Sequence, residues 1–343
     1  MKKKILITGG AGFLGTNFVT YMLDRYPDYE LIVLDALTYA GSLDNFSPQV
    51  KENPAFTFYH GDTRNADLVL DLMSGVNMAI HLAAETHVAR SIYDNRKFFE
   101  TDVLGTQSVA NAVLKNINRI ERFIHISTSE VYGTAMTRPM CEDHPINPMS
   151  PYAAAKAGGD RLVYSYWRTY DIPAVILRPF NQYGPYQHLE KVIPRFITSA
   201  LLGEPLTIHG NGEARRDWLH VEDTCKRIDR ALHAPDKNIR GEVFNLGSGF
   251  DMSILSVARM ILDVLGKPES LIAFMADRPG QVQHHISSTE KAERVLCIEP
   301  GRKFEEGLEQ AVKWYAENRN WWERLLPMRR VEILTRDGNS EYY

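Results

Sequence analysis

Tyr152 and Lys156 stand four positions apart, so any helix containing both puts them on one face with their functional groups adjacent. An ammonium beside a phenol lowers the phenol pKa and makes it a usable base toward an alcohol. Such a pair also occurs by chance on many surface helices, so its surroundings decide its meaning. Some twenty residues earlier, Ser127-Thr128-Ser129-Glu130 closes an apolar run. At the carboxyl edge of a sheet, where α/β sites assemble, a hydroxyl and a carboxylate would converge there on the phenol.

Glycines form the second constellation. Gly9-Gly10-Ala11-Gly12-Phe13-Leu14-Gly15 follows the apolar run at 4–8 and satisfies both G-x-G-x-x-G and G-x-x-G-x-x-G. Glycines allow a tight turn and a close backbone approach to a pyrophosphate, and the following helix offers its unpaired N–H groups to that anion. Asp35 ends the next apolar run, twenty residues past Gly15. A carboxylate there accepts hydrogen bonds from an adenosine ribose and repels a 2′-phosphate, which favours NAD over NADP. Asp62, in Gly61-Asp62-Thr63, is placed to meet the adenine or else to cap a helix before Ala66.

The elements that must hold these residues read as βαβ units on a parallel sheet: short Ile/Val/Leu runs alternate with longer amphipathic stretches. Strands are expected near 4–8, 31–35, 57–60, 78–82, 122–127 and 173–178, and helices near 13–25, 94–115 and 152–170. After Arg178 turn-rich stretches such as Asn181 to Gln187 and Gly210 to Glu213 suggest a cap over the sheet's carboxyl edge. A helix at 221–234 and a strand at 243–246 are expected to return to the first region. The fold class is α/β, a Rossmann-type doubly wound parallel sheet with a smaller C-terminal substrate-binding region.

Composition narrows the function. The 343 residues are 44% hydrophobic and 24% charged, enough to bury a sizeable core. A net charge of -4 gives no general attraction to nucleic acid or anionic membranes. The basic start Met1-Lys2-Lys3-Lys4 precedes an apolar run that breaks at Gly9, too short for a signal peptide, and no stretch approaches a membrane span. Cys141, Cys225 and Cys297 form no C-x-x-C pair, which suits reduced thiols in the cytoplasm. His209, His220 and His284-His285 lack the spacing of a metal site, so no metal is expected. Trp321-Trp322 is expected to pack a terminal helix.

With these residues in view, the chain resembles the extended short-chain dehydrogenase/reductases over nearly its whole length, and among them the nucleoside-diphosphate-hexose 4,6-dehydratases. The similarity lies in Thr8 to Gly15, Leu37 to Gly41, Ala83 to Ser91, Thr128 to Gly133, Tyr152 to Lys156, Asn181 to Gln187, Arg216 to Leu219 and Asp277 to Gly280. It implies NAD contacts from Gly9, Gly12, Phe13, Leu14, Gly15, Asp35, Thr38, Gly41, Asp62, Leu82, Ala83 and Ala84, with Tyr152 and Lys156 at the nicotinamide end. It also implies substrate contacts from His87, Arg90, Asn181, Lys191, Arg216, Asn245 and Arg278, with His87 equally readable as a helix-start histidine. Residues 1–178 would form the NAD-binding domain, with a returning segment near 221–250, and 179–343 mainly the sugar-nucleotide domain. A homodimer through the helices near 94–115 and 152–170 is part of the same resemblance.

By that resemblance the hexose is oxidised at carbon 4, loses water across carbons 5 and 6, and regains the hydride at carbon 6. Tyr152 would take the hydroxyl proton, Lys156 would hold Tyr152 and the nicotinamide ribose, and Thr128 would bind the carbon-4 oxygen. Where dTDP-glucose enzymes carry Thr-Asp-Glu, this chain has Thr128-Ser129-Glu130. Ser129 has no proton-transfer pKa near neutrality, so the elimination falls to Glu130 alone. GDP-mannose 4,6-dehydratases and UDP-glucuronate decarboxylases share Thr-Ser-Glu, which keeps a decarboxylase or 4-epimerase open, as well as a non-catalytic NAD-binding regulator. Asp102 replaces an Asn of many relatives, and Ala153-Ala154-Ala155 replaces Ser-containing versions, without a readable consequence.

Overall fold

The computed structural model describes residues 3–276, 282–330, 332–334 and 339–342. In the first half, apolar runs become strands β1 (Lys4–Thr8), β2 (Glu30–Asp35), β3 (Phe56–His60), β4 (Met78–His81), β5 (Arg122–Ile126) and β6 (Ala174–Pro179). Further along lie β7 (Asn181–Tyr183), β8 (Leu206–His209), β9 (Arg215–His220), β10 (Val243–Leu246), β11 (Asp251–Ser253) and β12 (Ile272–Met275). The first six and β10 start and end within one residue of where hydrophobic patterning puts them. They pair, all parallel, in the order β10-β6-β5-β4-β1-β2-β3. That order is doubly wound: the chain direction across the sheet reverses between β1 and β4, opening a crevice at their carboxyl ends. Ile5, Leu6 and Ile7 are consecutive and all fully buried, because helices cover both faces.

The helix Phe13–Arg25 lays Phe18, Val19, Met22 and Leu23 on one face of the sheet, and the helix Val221–His233 adds Cys225, Ile228 and Leu232 to the same core. A second core joins Ile193, Phe196, Ile197, Trp218, Ile261, Leu308 and Tyr315 around β7, β8 and β9. Trp322 closes it, fully buried with Nε1 donating to the Tyr315 carbonyl at 2.7 Å. Trp321 reaches instead to the first half, donating to Asn45 Oδ1 at 2.9 Å.

One expected helix is divided. Over 94–115 the chain breaks at extended Asp94, restarts at Arg96–Phe99, widens into a π-turn at Glu100–Gly105, and becomes a regular helix only at Thr106–Lys115. Close packing accompanies the widening. A Cβ on Gly159 would sit 2.4 Å from the Asp102 carbonyl, so the two helices touch backbone to backbone.

The helix carrying Tyr152 and Lys156 is Pro151–Tyr170. Ser150 caps it, accepting from Ala153 N, with Pro151 in its first turn, and it stops at left-handed Asp171. A buried ion pair anchors its middle to the sheet: Arg178 of β6 donates from Nε and Nη2 to the two oxygens of Asp160, at 2.9 and 3.0 Å. Burial alone would raise the Asp160 carboxyl, but Arg178's hydrogen bonds and charge, with Arg161, hold it well below the usual carboxylate range. Removing one member leaves an uncompensated buried charge. Asp160→Ala should therefore lower the unfolding free energy by about 3–5 kcal/mol at neutral pH in denaturant titrations. A depressed carboxylate stabilises the fold above its unfolded pKa and loses that contribution on acidification, so the deficit should shrink below about pH 4.

Candidate active site

The glycine turn is tight for reasons internal to the fold at Gly9, Gly10 and Gly15, and not at Gly12. Gly9 has φ +71, and a Cβ on it would meet Ala83 N at 2.5 Å; one on Gly15 would meet the Gly9 carbonyl at 2.3 Å. A Cβ on Gly12 would meet only the Gly9 carbonyl, at 3.5 Å. Gly12 thus leaves open the space over the start of the Phe13–Arg25 helix, whose first N–H groups receive no side-chain cap. This cradle fits a dinucleotide pyrophosphate. Phe13 and Leu14 begin the helix, and Leu82, Ala83 and Ala84 follow β4 on the facing side, with Leu82 N donating to the Thr8 carbonyl at 3.0 Å.

Asp35 ends β2 and ties two loops together. Its oxygens accept from Ala11 N at 2.9 Å and Leu37 N at 2.8 Å. Gly41 approaches so closely that a Cβ there would lie 2.7 Å from Asp35 Oδ1, while neighbouring Thr38 is exposed. Asp62 does not cap the helix Ala66–Ser74; Asn65 does, and Asp62 is chelated by Arg64, whose Nη1 also meets Glu100 at 2.8 Å.

Tyr152, Lys156, Thr128 and Glu130 converge past the ends of β5 and β6. Lys156 Nζ donates to the Ile126 carbonyl at 2.7 Å, the Tyr152 phenol lies near the Thr128 hydroxyl, and Thr128 caps the one-turn helix Ser129–Tyr132 by accepting from Glu130 N at 3.2 Å. One expectation is reversed: the phenol of Tyr152 is pushed up. Burial is the main cause, opposed by the Thr128 hydroxyl, and the Asp102 and Glu130 carboxylates add to it. Lys156, whose own pKa burial lowers, is spent on a carbonyl and is not among the groups that offset this. Asp102 sits inward from the π-turn, accepting from Glu85 N at 2.9 Å while its other oxygen is buried without a partner. Burial raises its carboxyl, against Lys156.

The expected substrate residues divide. Arg90 donates to Glu190 at 3.0 Å and lies 4.5 Å over the Tyr39 ring, and Tyr39 donates to Glu190 at 2.7 Å. Lys191 Nζ donates to the Thr86 carbonyl at 2.6 Å. Arg216, on β9, is buried beside Asp217 and donates to the Arg215 carbonyl. Asn181 opens β7 opposite Trp218. His87 caps the helix Val88–Tyr93, accepting from Arg90 N. Asn245 is fully buried, accepting from Tyr132 and donating to the Met140 carbonyl. Arg278 lies outside the described residues. Glu190, Tyr39 and His285 escape a reading of the sequence, because their partners are distant along the chain. His285 is buried with Nδ1 3.4 Å from Ser129 Oγ. Among the described residues no cluster of His, Cys, Asp and Glu could hold a metal, and no helix is long and apolar enough to cross a membrane.

Comparison with known proteins matches this arrangement. A family model described as GDP-mannose 4,6 dehydratase covers residues 6–311. The low-salt glycan biosynthesis protein Agl12 of Haloferax volcanii is 44% identical over 311 residues, 91% of this chain and 98% of that protein. A dTDP-glucose 4,6-dehydratase of an Actinoplanes species is 39% identical over 324 residues, 93% of this chain and 99% of that one. The crystal structure of the Streptomyces venezuelae dTDP-glucose 4,6-dehydratase DesIV, with NAD bound, has a TM-score of 0.89 at 41% identity, covering 94% and 99% of the two chains.

The Asp35 carboxylate predicts the cofactor preference. NAD should bind at least about tenfold more tightly than NADP in calorimetric titrations, a gap of roughly 1.4 kcal/mol or more. Comparable affinities would contradict the ribose-facing role of Asp35.

Proposed function

This chain belongs to the extended short-chain dehydrogenase/reductase nucleotide-sugar 4,6-dehydratases, and from that premise we propose how its residues share the work of an NAD-dependent lyase. NAD, held by the Gly9–Gly15 turn and Asp35, would supply a hydride acceptor for carbon 4 of the hexose and a hydride donor for carbon 6. Tyr152 takes the carbon-4 hydroxyl proton, with the Thr128 hydroxyl opposing the burial that raises its pKa. Thr128, near the same phenol, holds the carbon-4 oxygen. Lys156 fixes the helix face against the end of β5. Once carbon 4 is a ketone, the hydrogen on carbon 5 is acidic and Glu130 removes it while water leaves carbon 6. The convergence of Tyr152, Thr128 and Glu130 beside an open glycine cradle carries this reading.

For the substrate we propose dTDP-glucose, the compound for which several relatives are named. Asn181, Lys191, Arg216 and Arg278 would bind its diphosphate, Arg with better geometry for it than Lys. His87 and Arg90 would line the sugar. We propose a division into 1–178 with a returning segment near 221–250, and 179–343 mainly for the sugar nucleotide, a reading that the presence of two cores supports. The three free cysteines suit a reducing cytoplasm.

A homodimer is proposed through the paired helices: Phe99, Leu104 and Tyr164 are exposed apolar residues on them, a costly surface to leave wet. Light scattering at micromolar concentration should give twice the chain mass, and a monomer contradicts the dimer.

Incubation with dTDP-glucose should yield a product lighter by one water; loss of carbon dioxide from a uronic acid analogue, or an isomer of unchanged mass, would instead mark a decarboxylase or epimerase. Glu130→Gln should cut product formation about 100-fold or more while carbon-4 oxidation continues, so that NADH absorbance accumulates in a single turnover. Near-normal turnover of this variant removes Glu130 from the elimination.

A further inference from the structure

Loss of water from the ketone needs two proton events, removal from carbon 5 and delivery to the oxygen leaving carbon 6. Glu130 serves the first. Ser129, beside it, has no acidic proton of its own near neutrality. The fold adds a third group, His285, which the chain brings from 156 residues past Ser129.

His285 is fully buried and firmly held. Its backbone N donates to the Arg215 carbonyl at 3.2 Å, and the flanking Ile286 carbonyl accepts from Met140 N at 2.8 Å. Two residues on, Ser287 donates from its backbone N and its hydroxyl to Asp217 Oδ2, at 3.0 and 2.5 Å. The ring's Nε2 lies 2.7 Å from the Gly133 carbonyl. A carbonyl only accepts, so Nε2 carries the hydrogen and Nδ1 presents a lone pair. That single nitrogen faces Ser129 Oγ at 3.4 Å and Glu130 Oε1 at 3.9 Å. Burial lowers the His285 pKa and Arg216 acts with it, while Glu130, the Gly133 bond and Asp217 act against it. The ring therefore rests neutral, with a carboxyl group beside it.

We propose that His285 relays the proton of the elimination from Glu130 to Ser129, a role that rests on the dehydratase reading above. At rest the Ser129 hydroxyl donates to Nδ1. Glu130 takes the carbon-5 hydrogen as a proton, the electrons of that C–H bond become the carbon-5 to carbon-6 double bond, and the carbon-6 to oxygen bond breaks. Glu130 passes the proton to Nδ1. The new Nδ1–H donates to Ser129 Oγ, which turns the Ser129 hydroxyl toward the departing oxygen and gives up its own proton to it as water forms. Ser129 regains a proton from Nδ1 and the ring returns to neutral. One proton leaves carbon 5, one reaches oxygen, and no other reactant is needed. Glu130 then need not reach both atoms of the sugar itself. His285 acts through Ser129 and Glu130, so it is a positioning residue with a proton-carrying nitrogen.

The test separates the two halves of the reaction in a single turnover with dTDP-glucose. His285→Gln keeps a hydrogen-bonding side chain that cannot take and release a proton. NADH should form within about twofold of the wild-type rate, while water loss, followed by mass, slows about 100-fold or more. Ser129→Ala should slow the same step, and the double variant should be no slower than His285→Gln, because both act on one path. Independently of turnover, ¹⁵N NMR of the protein should report His285 with the hydrogen on Nε2. The relay is overturned if His285→Gln loses water within about threefold of wild type, if the two effects multiply, or if Nδ1 carries the hydrogen. Should His285→Gln fail to fold, a Ser129→Ala variant with wild-type water loss overturns it alone. Failure of the wild-type protein to remove water from any nucleotide hexose is a different result, which takes down the dehydratase reading itself.

Discussion

The buried pair of Asp160 and Arg178 is the constraint from which the active site hangs. Both side chains are essentially inaccessible, and two charges are tolerated there because each has a full set of partners. Arg178 also donates to the Tyr132 hydroxyl at 2.8 Å, and Tyr132 donates in turn to Asn245 Oδ1 at 2.8 Å. Four elements are pinned by one network: the helix bearing Tyr152 and Lys156, the turn bearing Ser129 and Glu130, β6 and β10. The phenol and the carboxylate come from separate segments, so their separation is set by this network rather than by the local geometry of either one.

A second consequence of burial is the unusual proton economy around Tyr152. The phenol, Asp102 and Lys156 are all withdrawn from water, and desolvation favours the neutral form of each. Asp102 has one oxygen satisfied by Glu85 N and one without a partner, which a proton would suit better than a charge. Burial thus opposes charge on all three groups. His285 belongs to the same economy, neutral beside a carboxylate.

Contacts between the two cores run through polar side chains as well as apolar ones. Glu190 is fully buried yet ionised: burial would raise its carboxyl, but His87, Lys191 and His188, with the Tyr39 hydroxyl, bring it down to about 2. It holds Arg90 and Tyr39 at once, so the loop after Asp35 and the helix after β4 are both fastened to the segment leading into Val192–Leu202. The Asp217 carboxylate does the same farther along, gathering Ser248, Gly249 and Ser287.

Sequence alone determined what depends on neighbours along the chain. The inner parallel strands were legible because their burial on both faces demands apolar runs, whereas the edge strand β3 is largely exposed. The glycine turn, Asp35 and the Tyr152–Lys156 face were legible because one tight turn, one strand end and one helical repeat set their geometry. Ser150 and Pro151 mark the start of the catalytic helix by local chemistry of the same kind. Only the tertiary structure decided the rest. The break at Asp94 and the π-turn follow packing against Gly159, which no periodicity of 94–115 records. Asn245 meets Tyr132 and the Met140 carbonyl, partners distant along the chain. His285 stands in sequence as half of a histidine pair with no metal spacing. Its meaning arises only when the chain crosses back and sets its Nδ1 against Ser129 and Glu130, because a hydrogen bond requires proximity in space, which distant positions in a sequence do not encode.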